Sequence, residues 1–365
     1  MCDLMPGPSQ PLSSKALLVL CVVCWFLASA VCTASGKIAL THLRPHSGGG
    51  CALTLTTAQF MTSAAASAVA AVVLGRRPPA AFREVALVSL AYTLGFLLLN
   101  CSLGRLQASF SETVRGLEPL TSFLLARALS ARGARLSRAS AAALAAVLAG
   151  AALSVFSQPR FDISGLVYGL LANCAFSSRG LLVTLLQDAT RRGDGDSGGK
   201  VGAIDPIGLF AAQHALGLLL LVPAAIATDG RHCAVALANQ PWTNPATRAA
   251  TLSALGFLAY NFLSLCVLLL IDAVSHSVCN TCRRAVTIVT AALVFQNAIS
   301  ASSAAGITLI IGGAAAYAIA SAAERAAAIA PLHQTQAMPE ADALLDVPPG
   351  EGSDSPATAS ADAAG

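Results

Sequence analysis

The sequence predicts an all-α membrane protein: ten transmembrane helices forming two inverted five-helix repeats. Three observations carry that expectation. Hydrophobic residues make up 55% of the 365 and charged residues 11%, with a mean hydropathy of +0.69, a balance foreign to soluble domains of this length. The apolar residues gather into runs of about 20, the length that crosses ~30 Å of hydrocarbon. Finally, Ser109-x3-Thr113-x-Arg115 recurs as Ser277-x3-Thr281-x-Arg283 at an offset of 168 residues. Each copy lies in the fourth span of a five-span half, and an odd number of spans per half turns the second half upside down in the bilayer.

Lys15 opens the first run, 16–38. It is too long for a signal-peptide core and closes on no clear small-residue cleavage site, so it reads as a retained span. Runs 51–74, 85–103, 108–129, 139–156 and 163–186 follow, then, after an interruption, 207–227, 249–271, 274–296 and 304–323. The interruptions have loop chemistry: Arg76-Arg77-Pro78-Pro79 stops one helix, 130–138 holds Arg132, Arg135 and Arg138, and 191–201 reads RRGDGDSGGKV. The chain thus divides into a short cytosolic N-terminus (1–15), a first half of five to six spans (16–187), a flexible linker (188–205), the remaining spans (206–325) and a tail (326–365). The tail is Ala, Pro, Ser and acid, a composition that predicts disorder. With the N-terminus in the cytosol, that side's loops carry Lys15, Arg76, Arg77, Arg83, Arg127, Arg132, Arg135, Arg138, Arg191, Arg192, Lys200 and Arg325. The other side has only Arg44, Arg105, Arg160, Arg231 and Arg248. The asymmetry puts both termini in the cytosol, as an even span number requires.

The run 274–296 carries Arg283 and Arg284 side by side, and an arginine at the bilayer centre costs roughly 2.5–3.5 kcal/mol even on lenient scales. The pair needs a compensating anion. At helical spacing His276, Asn280, Arg283 and Thr287 share one face, with Ser277, Thr281 and Arg284 on the next stripe. Basic residues in or at the ends of spans are Lys37, Arg115, Arg179, Arg283 and Arg284, against the acids Glu112 and Glu118. An interior with that positive excess selects an anion, and the guanidinium fork suits phosphate. Other roles stay open: Glu112 and Glu118 flank Arg115 and can neutralise it, and either acid can meet Arg283 or Arg284 across the bundle. Arg179 can snorkel, Tyr260 can belong to an interfacial belt, and His276 can be a packing residue.

Most of the eleven cysteines lie in apolar runs and read as small packing residues. Cys279-x-x-Cys282 has no second pair nearby, so no metal or other cofactor is expected. Nor is an enzyme: a membrane transferase acting on a diphosphate needs clustered carboxylates to hold Mg²⁺, and no span has them. A heptahelical receptor lacks the span number, and several arginines at one deep site bind too tightly for fast conduction through a channel. Binding at the midplane followed by rocking of one half against the other fits best.

At these positions the sequence resembles the triose-phosphate and nucleotide-sugar transporters of the drug/metabolite transporter superfamily, over residues 15–324. SFSETVRGLEP (109–119) is similar to the family's fourth-helix segment, and FDISGLVYGLLANCAFSSRGLL (161–182) to its sixth helix. AYNFLSLCVL (259–268) and SHSVCNTCRRAVTIV (275–289) resemble its eighth and ninth, where a Lys-Arg pair follows His-Ser-Val-x-Asn. The resemblance implies an antiporter that exchanges a phosphorylated small metabolite, a sugar or triose phosphate, for inorganic phosphate or another phosphate ester. The alternative is a nucleotide-sugar and nucleoside monophosphate antiporter of the Golgi or ER. Substrate contacts are implied at Arg115, which stands for the family's fourth-helix lysine, at Arg283 and Arg284, at Tyr260 and at Lys37; His276 and Arg179 join them as candidates. Three departures stand out: both lysines are arginines, Glu112 replaces the usual histidine of plastid members, and Phe96 and Leu99 replace polar contacts. The expected partners are the phosphorylated substrate, its counter-substrate and the lipid bilayer, with no nucleic acid. The lead before the first span is short for a plastid transit peptide plus anchor, so the Golgi or another endomembrane is expected, with a plastid-surrounding membrane as the alternative.

Overall fold

The computed structural model describes residues 12–43, 51–76, 82–129, 137–156, 162–193, 205–230, 244–271, 273–297 and 299–345. Among them every regular element is helical: α1 (Leu12–His42), α2 (Ala52–Val73), α3 (Phe82–Arg105), α4 (Ala108–Arg115), α5 (Glu118–Leu129), α6 (Arg138–Phe156), α7 (Ile163–Gly193), α8 (Pro206–Ala225) with a wide turn Ile226–Gly230, α9 (Pro245–Leu270), α10 (Ala273–Val294) and α11 (Ala301–Leu345). The chain divides into two compact units, Met1–Ala320 and Ser321–Gly365. The first holds the bundle and its cavity.

Local chemistry sets several of these boundaries. Asp205 and Asn244 accept hydrogen bonds from the first free backbone N–H groups of α8 and α9, each of which begins on a proline. Asp162 does the same before α7, accepting from the backbone of Ser164 (2.8 Å) and Gly165 (3.1 Å) and from the Ser164 hydroxyl. The Ser164 hydroxyl and these amides hold the Asp162 carboxyl below the ordinary aspartate range. Arg105, closing α3, lies 3.6 Å from the same carboxylate, which ties the end of α3 to the start of α7.

Eight helices among the described residues are long and apolar enough to cross a membrane, not the expected ten. The shortfall has a physical cause. The predicted run 108–129 is broken into α4 and α5, each too short to span, and α10 is diluted by His276, Asn280, Arg283, Arg284 and its hydroxyl residues. Two boundaries also differ from expectation. α7 continues to Gly193, past the start of the predicted linker, and α11 runs on to Leu345, through a stretch whose alanines favour helix. Residues 1–11, 194–204 and 346–365 of the predicted terminus, linker and tail lie outside the described residues.

Packing follows membrane rules. α1 lies against α9, α3 against α7 and α2 against α8. Between α6 and α11 small residues let the backbones nearly touch: a Cβ on Gly150 would sit 2.6 Å from the Gly306 carbonyl oxygen. The outward faces are apolar, with Val69, Val72, Leu219 and Leu293 exposed, as contact with acyl chains requires. Inward, Phe60, Tyr92, Phe96, Phe176 and Phe257 form an aromatic core, with Phe96 and Phe257 edge-on at 4.7 Å.

Gly116 follows α4, and a Cβ there would overlap Cγ2 of Ile310 and lie 2.9 Å from the Thr113 carbonyl. Gly116→Ala should lower the thermal stability of the detergent-solubilised protein by about 1–3 kcal/mol. Ile310→Ala in the same chain should recover part of that loss, the melting temperature being the readout.

Candidate functional site

The site is built around the break between α4 and α5. All eight residues of α4 are buried. Pro119 is the second residue of α5 and has no N–H, so it cannot donate to the carbonyl of Arg115 four residues earlier. Arg284 of α10 donates to that carbonyl through Nη1, and through Nη2 it pairs with the carboxylate of Glu118. The adjacent carbonyl, of Val114, accepts from Asn173 Nδ2 of α7 at 2.8 Å. The break is thus held from two sides by polar side chains that an unbroken apolar helix would not need.

Beside it lies a cavity of about 30 Å³ that draws its lining from α1, α2, α3, α4, α9 and α10. That is room for about two water molecules. Its cations are Arg115 and Arg283, only 8% and 4% exposed, and its acid is Glu112, 3% exposed. Arg115 stacks over Phe176, 4.9 Å from the ring centroid, and its Nε has no hydrogen-bond partner among the described residues. Arg283 is held more firmly: Nε donates to Asn280 at 3.0 Å, Nη1 to the Ser29 hydroxyl, and its guanidinium lies 5.5 Å from the ring of Tyr260 and 5.8 Å from that of Trp25. Glu112 accepts from the Thr33 hydroxyl at 3.1 Å through Oε1. The remaining wall is apolar, from Phe96, Leu99, Leu103 and Phe257.

A hydrogen-bonded chain fixes the floor. Asn100 Nδ2 donates to Thr56 (2.8 Å) and to Gln59 (2.9 Å), Gln59 donates to Ser253 (3.0 Å), and the Ser253 hydroxyl donates to the Cys32 carbonyl (3.2 Å). This network links α1, α2, α3 and α9, and every member is buried.

Of the residues singled out by sequence, Arg115, Arg283 and Tyr260 line this one cavity. Arg284 does not: it turns to the α4–α5 break and meets Glu118, so the expected arginine pair is divided between two tasks. Lys37 donates to the carbonyls of Leu103 (2.7 Å) and Leu106 (2.6 Å) at the end of α3, where a cation complements the helix dipole. His276 stacks on Trp25 at 5.0 Å, and its Nε2 lies 3.1 Å from the Ser264 hydroxyl. Arg179 lies over Tyr92, 4.6 Å from the ring centroid, and Tyr92 packs edge-on against Phe96, so one aromatic layer separates Arg179 from the cavity. Sequence reasoning missed Ser29, Thr33, Gln59 and Asn100. A signal existed for α1: Trp25, Ser29, Thr33 and Lys37 recur every four residues, a polar stripe along an otherwise apolar helix.

Membrane-length helices around a buried, positively charged cavity define a multi-pass membrane protein with an anion-compatible interior. The particular family follows from comparison: the family model of the Triose-phosphate Transporter family matches residues 16–318, and the chain belongs to that family. It is 29% identical over 244 residues to phosphoenolpyruvate/phosphate translocator 2, chloroplastic, of Arabidopsis thaliana, covering 66% of this chain and 60% of the relative. Over 241 residues it is 25% identical to glucose-6-phosphate/phosphate translocator 1, chloroplastic, of the same plant (63% and 56%), and over 240 residues 25% identical to the xylulose 5-phosphate/phosphate translocator, chloroplastic (64% and 54%). The matches thus span a little over half the length of these curated relatives.

Breaking the Arg284–Glu118 pair should cost stability. Glu118→Gln is expected to lower the melting temperature, by less than the ~3–5 kcal/mol of a fully buried pair, because the Glu118 side chain is 29% exposed. Exchanging the charges, Glu118→Arg with Arg284→Glu, should fail to restore it, since a glutamate cannot donate to the Arg115 carbonyl.

Proposed function

We propose that this chain is an antiporter exchanging a phosphorylated small metabolite, a sugar or triose phosphate, for inorganic phosphate or another phosphate ester. One observation carries the reading: two buried guanidinium groups, Arg115 on α4 and Arg283 on α10, face one cavity, and Arg115 has an Nε–H without an acceptor among the described residues. A phosphoryl group offers the charge and the oxygen pairs such a site lacks. Tyr260, over whose ring Arg283 lies, would add a hydroxyl. Arg284 would act indirectly, fixing the backbone that carries Arg115. Lys37, His276 and Arg179 would support the surrounding helices and not touch the phosphoryl group. The relatives' names, each pairing a phosphate ester with phosphate, support this reading over a nucleotide-sugar carrier.

Alternating access supplies the mechanism. At about 30 Å³ the cavity admits no phosphate ester unless its walls part. In our reading α4 with α5 forms the fourth span and α10 the ninth, which restores ten spans and two inverted five-span repeats. The boundary between the repeats then falls between α6 and α7, not at the linker 188–205. Each repeat gives one arginine to the cavity, so a bound phosphoryl joins the two halves and offsets the repulsion between their charges. The empty carrier keeps that repulsion, and exchange outpaces net transport. The relatives are chloroplastic, which supports a plastid-bounding membrane as the location; the Golgi expectation gains nothing from them.

In proteoliposomes preloaded with phosphate, labelled phosphate should enter rapidly, and in vesicles without internal phosphate it should scarcely enter. Arg115→Ala and Arg283→Ala should each lower exchange by about 100-fold, and Arg→Lys at either position by less, because lysine keeps the charge and loses the fork. Full exchange in either alanine variant, or equal uptake into empty vesicles, would remove this reading.

A further inference from the structure

Glu112 is the feature of the cavity that phosphate binding leaves unexplained. The residue is 3% exposed, one carboxylate oxygen accepts from Thr33, and the other, Oε2, is sealed from solvent with no donor among the described residues. An ionised carboxylate only accepts hydrogen bonds, and an unmatched buried acceptor carries the full cost of its lost hydration. Glu112 lines the cavity, so a group that enters it can supply that donor.

The charges around it restrict what that can be. Arg115 and Arg283 are the cations in the lining, and Arg284, one residue on, is committed to Glu118. A phosphoryl group takes the two guanidinium groups and leaves Glu112 beside the rest of the ester. The facing wall of Phe96, Leu99, Leu103 and Phe257 holds no second cation. A hydroxyl there donates to Oε2. A carboxylate there meets a like charge and leaves Oε2 unmatched as well.

We propose that Glu112 makes this carrier selective for phosphate esters bearing hydroxyl groups, and makes it reject those bearing a carboxylate. The proposal rests on the reading of the cavity as a phosphate-ester site. It gives this chain a preference opposite to the one printed in the name of its phosphoenolpyruvate-transporting relatives.

Glycerol 3-phosphate and 3-phosphoglycerate form a matched pair, differing only in a CH₂OH group against a carboxylate. Each is titrated as a competitor of labelled phosphate exchange in phosphate-loaded proteoliposomes, at a pH where both phosphates are doubly ionised. In the wild-type protein glycerol 3-phosphate should compete at least about tenfold better. Glu112→Gln retains an acceptor for Thr33 and turns an amide donor into the cavity, so the ratio should fall to about threefold or reverse. Wild-type phosphate exchange with equal competition, or with 3-phosphoglycerate favoured, overturns the role of Glu112 and leaves the carrier reading intact. An unchanged ratio in Glu112→Gln also overturns it. If that variant does not fold, Glu112→Asp should keep the wild-type preference, and the wild-type ratio alone decides. No wild-type phosphate exchange of any kind overturns both readings.

Discussion

Arg284 grips the peptide backbone where α4 gives way to α5, and the rest of the site depends on that hold. Pro119 withdraws the donor that the Arg115 carbonyl would have in a continuous helix, and one guanidinium replaces it while neutralising Glu118. Without that grip the break would leave an unpaired carbonyl and a carboxylate in the membrane interior, each costing several kcal/mol there. With it, the chain turns at Gly116, the eight-residue α4 can be buried along its whole length, and Arg115 is delivered to the cavity. The same contact joins α10 to α4 and α5, so a shift in either is felt by the other.

The two elements least suited to lipid are the ones that carry most of the buried charges. α4 with α5 and α10 fail the length and apolarity of a simple span, because they hold Glu112, Arg115, Glu118, Arg283 and Arg284. They are sheltered by helices that present lipid-facing leucines and valines outward and serine, threonine, glutamine and asparagine inward. The buried polar residues of α1, α2, α3 and α9 form a connected chain from Asn100 to the Cys32 carbonyl, and a connected network is rigid where isolated polar groups would be costly. The aromatic layer of Phe60, Phe96, Phe176 and Phe257 closes the cavity on its far side and sets Arg179 and His214 apart from it.

Much of this was legible along the chain. The apolar runs mark most of the helices to within a few residues because burial in hydrocarbon demands both length and hydrophobicity; the exceptions are the break in 108–129 and the extensions of α7 to Gly193 and α11 to Leu345. Arg115 and Arg283 stand out because a cation in such a run requires a reason. Gln59 and Asn100 carry no local mark, since single amides and hydroxyls are common in membrane helices, whereas Ser29 and Thr33 show only as a stripe of period four along α1. The sequence puts Arg283 and Arg284 on neighbouring stripes and makes both candidates for substrate or for an acid across the bundle; the structure gives Arg284 to Glu118. Adjacent residues point about 100° apart on a helix, and here that angle separates the cavity from the α4–α5 break.

By itself the sequence determined the class: a chain this apolar, with cations in mid-span, has to be a helical membrane protein with an anion in view. Hydropathy and charge are properties of each residue and need no neighbours to be read. Only the tertiary structure decided how the charges divide, with Arg284 to Glu118, Lys37 to the end of α3, Arg179 to Tyr92, and Arg115 and Arg283 to the cavity. Those assignments turn on distances of a few ångströms between segments up to 254 residues apart, and at that range the Coulomb and hydrogen-bond terms that choose partners exist only once the helices have packed.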